Sequence, residues 1–253
     1  MTQLGLYEIV RTLGTGGFAR TCEARHVLLG SKACLKVALR DGDDDLILRE
    51  GRILAGLQHP SLPVLRDVFP HPGGGLVLAM SFAEGETLDR LATLTPEAAC
   101  RVAAKVLRAL AYLHKGGIVH GDVKPRNVVV ESVATGASVV LVDLGLAAVR
   151  PGSRSTALGW TEGFAAPEVV AGAPPLPESD LYSLGKTLAA SLGAEPRTGL
   201  LPAGLPLGLK ELIEALTEPK PARRPRWETK DPLRWLERVR RVLTRRKGAV
   251  SHV

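Results

Sequence analysis

Three residues of the stretch His120-Gly121-Asp122-Val123-Lys124-Pro125-Arg126-Asn127 have side chains that phosphoryl transfer needs, and a fourth comes on the next apolar run, Val142-Asp143-Leu144-Gly145. Moving a phosphoryl group to a hydroxyl calls for a carboxylate to orient the attacking oxygen and take its proton. It also calls for hard oxygen ligands for Mg²⁺ and a cation near the phosphates. Asp122, Asn127, Asp143 and Lys124 supply that set. His120 is the obvious general base on side-chain pKa alone.

Such a loop works only if regular elements hold it. Val128-Val129-Val130 and Val139-Val140-Leu141-Val142 read as a β pair, which puts Asp143 at a strand end beside the loop. Upstream, Thr95-Pro96-Glu97 offers an N-cap and a first-turn proline, and Val102, Val106, Leu110 and Leu113 recur at helical spacing before Gly116-Gly117 ends the helix. His114, near the helix C-terminus, reads as a dipole-compatible surface residue.

The N-terminal third reads as antiparallel strands. Ile9 to Leu13 runs into Gly14-Thr15-Gly16-Gly17-Phe18-Ala19, and Ala33-Cys34-Leu35-Lys36-Val37-Ala38 comes one strand later. Glycines in such a turn let backbone N–H groups approach phosphate oxygens. Asp43-Asp44-Asp45 offers caps for a helix from Leu46 to Leu57, and Leu62 to Val68 and Leu76 to Met80 read as two further strands.

Taken together these motifs resemble the eukaryotic-type serine/threonine protein kinases, whose catalytic loop reads H-R-D-L-x-x-x-N and whose metal loop reads D-F-G. Gly121 replaces the Arg and Leu144 the Phe. The resemblance extends from about Tyr7 to Trp235. It implies an α+β, bilobal fold, with a small five-stranded antiparallel lobe carrying one helix and a larger, mainly helical lobe. The implied boundaries are a nucleotide-binding lobe over 1–80, a hinge over 81–86, a catalytic and substrate lobe over 87–232, and a basic C-terminal helix and tail over 233–253.

In that family the strand lysine holds the ATP phosphates and pairs with a helix glutamate. Lys36 takes the first role, and Glu50, four residues before Leu54 and nine before His59-Pro60, takes the second. The resemblance places the nucleotide among Gly14, Gly16, Gly17, Phe18, Thr21, Cys34, Lys36, Met80, Phe82, Ala83 and Val129. Asp122 and Lys124 become catalytic, while Asn127 and Asp143 hold Mg²⁺, with Mn²⁺ as an alternative ion. His120 becomes a packing residue below Asp122. The activation segment covers Ser153, Ser155 and Thr156, then Thr161 beside Asp122 and Lys124, and ends in Ala166-Pro167-Glu168. Asp180 anchors the catalytic-loop backbone, and Arg224 pairs with Glu168. Small-molecule kinases that share the catalytic loop generally lack the Ala166-Pro167-Glu168 ending and the arginine that pairs with it.

Three readings fit these residues: an active Ser/Thr kinase acting on protein hydroxyls, a pseudokinase or scaffold, and a kinase-fold small-molecule phosphotransferase. Lys124 favours the Ser/Thr subclass over the tyrosine one. Gly121 removes the arginine that in relatives grips an activation-loop phosphate, so control without loop phosphorylation is expected.

Composition fits a globular enzyme. The 253 residues are 45% apolar and 23% charged, with no uninterrupted apolar run long enough for a membrane span. Cys22, Cys34 and Cys100 show neither metal-ligand nor disulfide spacing, and the N-terminus lacks a secretory pattern, so a cytoplasmic setting is expected. Residues 220–247 hold twelve Lys/Arg against three Asp/Glu, which leaves −2 for the rest of a chain of net charge +7. Within this segment Arg234, Arg238, Arg241 and Arg245 form one face of a helix whose other face carries Trp235, Leu236, Val239, Val242 and Leu243. A solvated basic face would suit it, as would contact with an acidic partner, nucleic acid or anionic lipid, and no aromatic interleaving supports nucleic-acid readout specifically.

Overall fold

The computed structural model describes residues 2–40, 42–135, 138–150, 158–194 and 200–250, and for Val242 and residues 244–250 the backbone alone. Ser153, Ser155 and Thr156 lie outside the described residues, as do the side chains of Val242 and Arg245. The chain forms two compact units, Met1–Ala83 and Glu84–Val253.

The first unit is a six-stranded antiparallel sheet with one helix. Its elements are β1 (Gln3–Leu4), β2 (Tyr7–Thr15), β3 (Ala19–His26), β4 (Lys32–Ala38), α1 (Asp44–Ala55), β5 (Leu65–Pro70) and β6 (Leu76–Ser81), with strand order β1-β2-β3-β4-β6-β5. One strand more than expected is present because Gly5, at φ +55°, turns Gln3–Leu4 back onto β2. A second difference is that β5 begins at Leu65 rather than Leu62, since Pro63 has no N–H to give a ladder. One sheet face is filled by Cys22, Ala24, Ala33, Leu35, Val37, Val77 and Ala79. Strand alternation puts Lys36 and Cys34 on the other, with their cross-strand partners Thr21, Leu78 and Met80.

Helix α1 buries Ile47, Glu50, Gly51 and Leu54, one helical stripe. A Cβ on Gly51 would lie 3.0 Å from Val68 Cγ2, so glycine permits the close seating of α1 on the sheet. The expected aspartate cap is not made. Asp43 occupies the N-cap position but its Oδ2 accepts from Arg40 N, and Asp44 Oδ1 accepts from Leu76 N at 2.7 Å. The carboxylates thus tie the helix start to neighbouring backbone, and Asp44 and Asp45 still complement its dipole.

The second unit holds β7 (Glu86–Thr87), α2 (Pro96–Lys115), β8 (Ile118–Val119), β9 (Val128–Val130), β10 (Val139–Leu141), β11 (Ala148–Val149), α3 (Pro167–Val170), α4 (Pro177–Ser191), α5 (Leu207–Leu216) and α6 (Pro232–Val250). Thr95 Oγ1 caps α2 by accepting from Ala98 N. The short strands pair β7 with β9, β9 with β10, and β8 with β11, and so bracket the 120–127 loop on both sides. Helix α4 packs on α2 and α5, and α6 on α2 and α5. The Ser183, Thr187 and Ser191 hydroxyls of α4 donate to the carbonyls of Ser179, Ser183 and Thr187, so this buried helix leaves them satisfied.

Candidate active site

In the first unit, the seating of α1 aims Glu50 at β4. Lys36 Nζ donates to Glu50 Oε2 at 2.6 Å, with side chains 7% and 1% exposed. The Phe18 ring centroid lies 5.7 Å from the same Nζ. Gly14 and Gly17 have open space where a Cβ would sit, the nearest atom to one on Gly16 is 3.6 Å away, and none of the three has positive φ. Neither packing nor a positive φ demands glycine at these positions, and the bare backbone leaves room for a group to approach closely. Thr21, Cys34 and Met80 share the face of Lys36, and Phe82 lies beneath Lys32 Nζ at 5.2 Å, with half-buried Ala83 next in the chain.

In the second unit the catalytic-loop side chains form one connected cluster. Asp122 is 7% exposed. Its Oδ1 accepts from Thr161 Oγ1 at 2.7 Å, and its Oδ2 lies 2.7 Å from Lys124 Nζ. Lys124 Nζ also donates to Thr161 Oγ1 at 2.9 Å. Asn127 Nδ2 donates to Asp122 O and Oδ2, at 2.8 and 3.0 Å. That choice of amide orientation turns the Asn127 carbonyl oxygen, a hard ligand, away from the cluster. Asp143 lies just after β10 in the left-handed region at φ +69°, where its Oδ1 accepts from Gly145 N. A non-glycine residue held there is the kind of backbone strain that functional positions retain. Val129, in β9, is buried between Thr87 and Val140.

These donors fit a divalent ion of the magnesium class, since an aspartate carboxylate and an amide oxygen are hard ligands. Magnesium is commonly held by one or two such side chains plus substrate phosphates. Among the described residues no cluster of three or more His, Cys, Asp or Glu is present.

His120 is fully buried, and burial holds its imidazole below the usual histidine range against the opposing pull of Asp180, Asp122 and Asp143. Its Nδ1 accepts from Asp122 N at 3.3 Å. The ring thus props the backbone of Asp122.

Asp180, at the start of α4, takes His120 N on Oδ2 and Gly121 N on Oδ1, both at 2.8 Å. Gly121 sits at φ +78°, and a Cβ there would be 2.7 Å from Leu146 O. Glycine is therefore required by the shape of the loop. His114 corrects the sequence reading. It is no surface residue: its side chain is 3% exposed, its Nε2 lies 2.8 Å from Asp180 Oδ2, and its Nδ1 accepts from Trp227 Nε1 at 3.0 Å. The signal available was its position one helical turn after Leu110, on the apolar stripe of α2; Trp227, far along the chain, gave none.

Glu168, expected at the end of the activation segment, lies in a second cluster, built on the buried Arg224. Arg224 NH1 and NH2 donate to Glu168 Oε1 and Oε2 at 2.6 and 2.8 Å, and Ser179 Oγ donates to Oε1 at 2.7 Å. Burial alone would raise the Glu168 carboxyl, but these donors outweigh it and hold the group below its usual range.

The protein kinase domain, compared as a family model, matches residues 7–199. The chain is 32% identical to serine/threonine-protein kinase pkn2 of Myxococcus xanthus, over 87% of this chain and 31% of that protein. It is 36% identical to serine/threonine-protein kinase PknJ of Mycobacterium tuberculosis, over 75% of this chain and 34% of that one. Human calcium/calmodulin-dependent protein kinase type 1B is 34% identical over 71% of this chain and 54% of its own length. The chain thus spans about a third of the first two relatives. Arg224 and Trp227 lie beyond the stretch that the family model matches.

Proposed function

The chain belongs to the protein kinase family, and on that premise we propose that it is a serine/threonine protein kinase, transferring the γ-phosphate of MgATP to a protein hydroxyl. The observation that carries this reading is the Asp122–Thr161–Lys124 cluster, which joins a carboxylate, a cation and a hydroxyl. Asp122 orients the acceptor hydroxyl and takes its proton, and Lys124 steadies the transferring group. Lys36, fixed by Glu50, pairs with the phosphates. The Asn127 carbonyl oxygen and Asp143 would hold Mg²⁺, which would supply charge neutralisation at the phosphates. Catalysis of this class is mostly positioning and electrostatics, so orientation by Asp122 contributes more than its basicity.

Residues 1–80 act as the nucleotide lobe, 81–86 as the hinge, 87–232 as the catalytic and substrate lobe, and 233–253 as a basic appendage. With Gly121 in place of arginine, activity does not depend on a phosphate captured from the activation segment. A cytoplasmic setting accords with three cysteines that form no disulfide, and no helix among the described residues is long and apolar enough to cross a membrane. The basic face of α6 takes an acidic protein partner. Arg234, Arg238 and Arg241 are exposed there, and Arg238 edges a groove of about 240 Å³ lined by Pro206, Leu207, Trp235, Val239 and Leu243. An acidic peptide should bind it and lose affinity on Arg238→Glu, as read by fluorescence anisotropy; equal binding by both proteins would remove that assignment.

The kinase reading is tested by incubating purified protein with labelled ATP and Mg²⁺ beside Asp122→Ala and Lys36→Met. Incorporation by the unaltered protein alone is expected. Equal incorporation by all three would overturn it, and nucleotide binding without transfer would mark a scaffold.

A further inference from the structure

Asp180 holds the backbone of His120 and Gly121, and the geometry around it raises the question of what holds Asp180. Its Oδ2 receives the His120 N–H and also faces His114 Nε2 at 2.8 Å. An imidazole nitrogen can donate or accept, so this contact is useful only if the proton is on Nε2. The other ring nitrogen decides that. An indole N–H is a donor and never an acceptor, and Trp227 Nε1 lies 3.0 Å from His114 Nδ1. Nδ1 must therefore be bare, and the single ring proton sits on Nε2, pointed at the carboxylate. Flipping the ring would present carbon atoms to both Asp180 and Trp227, so the ring orientation is fixed by the same two bonds. With the His114 and Asp180 side chains 3% and 1% exposed, water has little access to substitute for either partner.

We propose that Trp227 is a positioning residue for the catalytic loop: its indole N–H locks His114 in the tautomer that donates to Asp180, which in turn fixes the loop carrying Asp122. The chain of contacts runs from the 220–227 segment through α2 and α4 to the loop backbone, about as a carboxylate or carbonyl behind a metal-bound histidine sets that ring's tautomer and aim. The same segment holds Glu168 through Arg224, three residues before Trp227. One short segment therefore secures both the end of the activation segment and the base of the catalytic loop. This proposal rests on the kinase reading for its effect on rate, though not for its geometry.

The test pairs a spectrum with kinetics. Protein labelled with ¹⁵N-histidine is examined by long-range ¹H–¹⁵N correlation, with His114→Gln identifying the signal. The unaltered protein should show His114 as the neutral, Nε2-protonated tautomer. In Trp227→Phe, which keeps an aromatic ring but removes the indole N–H together with part of the ring volume, the His114 pattern should move to mixed tautomers or to the doubly protonated ring. In the same variant kcat for peptide phosphorylation should fall about 10-fold, of the order expected when a supporting group lets the reacting geometry drift, with KM for ATP changed less than about twofold. An Nδ1-protonated or doubly protonated His114 in the unaltered protein would overturn the proposal without any variant having to fold. So would an unchanged His114 pattern in Trp227→Phe, or a changed pattern with kcat intact. Should the unaltered protein transfer no phosphate, the kinase reading fails, and the spectra still decide whether Trp227 sets the tautomer.

Discussion

Replacing Arg224 by Met should cost about 3 kcal/mol of folding stability, near the low end of the loss typical when one partner of a buried ion pair is removed. The side chain is wholly buried and all its donors are used: besides the two bonds to Glu168, NH1 reaches Glu178 O at 3.0 Å, NH2 reaches Pro219 O at 2.9 Å, and Nε reaches Glu218 O at 2.7 Å. Tyr182 stacks against the guanidinium at 4.9 Å. Methionine keeps most of the volume but strands a carboxylate and three carbonyls. Glu168 is 13% exposed, so residual hydration places the cost near the bottom of the usual range rather than its top. The pair also has a pH signature. The folded Glu168 pKa lies below its ordinary value of 4.5, so its contribution is fully present above that value and is lost as pH falls through the folded pKa. Urea unfolding monitored by circular dichroism should show the gap between the unaltered protein and Glu168→Gln narrowing on acidification below about pH 4.5. A cost under about 1 kcal/mol for Arg224→Met, the range of an exposed pair, or a gap constant with pH, would refute the assignment of this cluster as a buried clamp.

Gly121→Ala should destabilise by at least about 1–2 kcal/mol, the left-handed penalty for an L side chain, because the added Cβ would also press on Leu146 O from 2.7 Å; a thermal midpoint equal to that of the unaltered protein would show that the loop relaxes freely. Thr161→Val deletes the hydroxyl that links Asp122 to Lys124 and should lower kcat about 10–100-fold, with nucleotide affinity retained; an unchanged kcat would remove Thr161 from the site.

Much of the first unit's architecture was legible because strand alternation and helical spacing are local. Once Lys36 lies on a strand and Glu50 on the inward stripe of the next helix, few arrangements keep them apart. The differences lie where backbone rather than pattern decides. Gly5 adds a strand, Pro63 delays one, and Asp43 and Asp44 turn to neighbouring N–H groups instead of capping α1. The catalytic loop was legible by residue type, yet its support was legible only where a motif is compact, as at Asp180. His114 was misplaced because a histidine near a helix end reads as solvated unless its partners are known. Those partners are 66 and 113 residues away along the chain, and no periodicity connects them. The distinction has a physical basis. Side chains that face a substrate are constrained by its chemistry and so carry a recognisable type, whereas those that hold them in place need only complete a hydrogen bond, which many residue types can do. The support of a site is therefore where its sequence is least explicit, and here that support converges on Trp227 and Arg224, both beyond the part of the chain that the kinase-domain model matches.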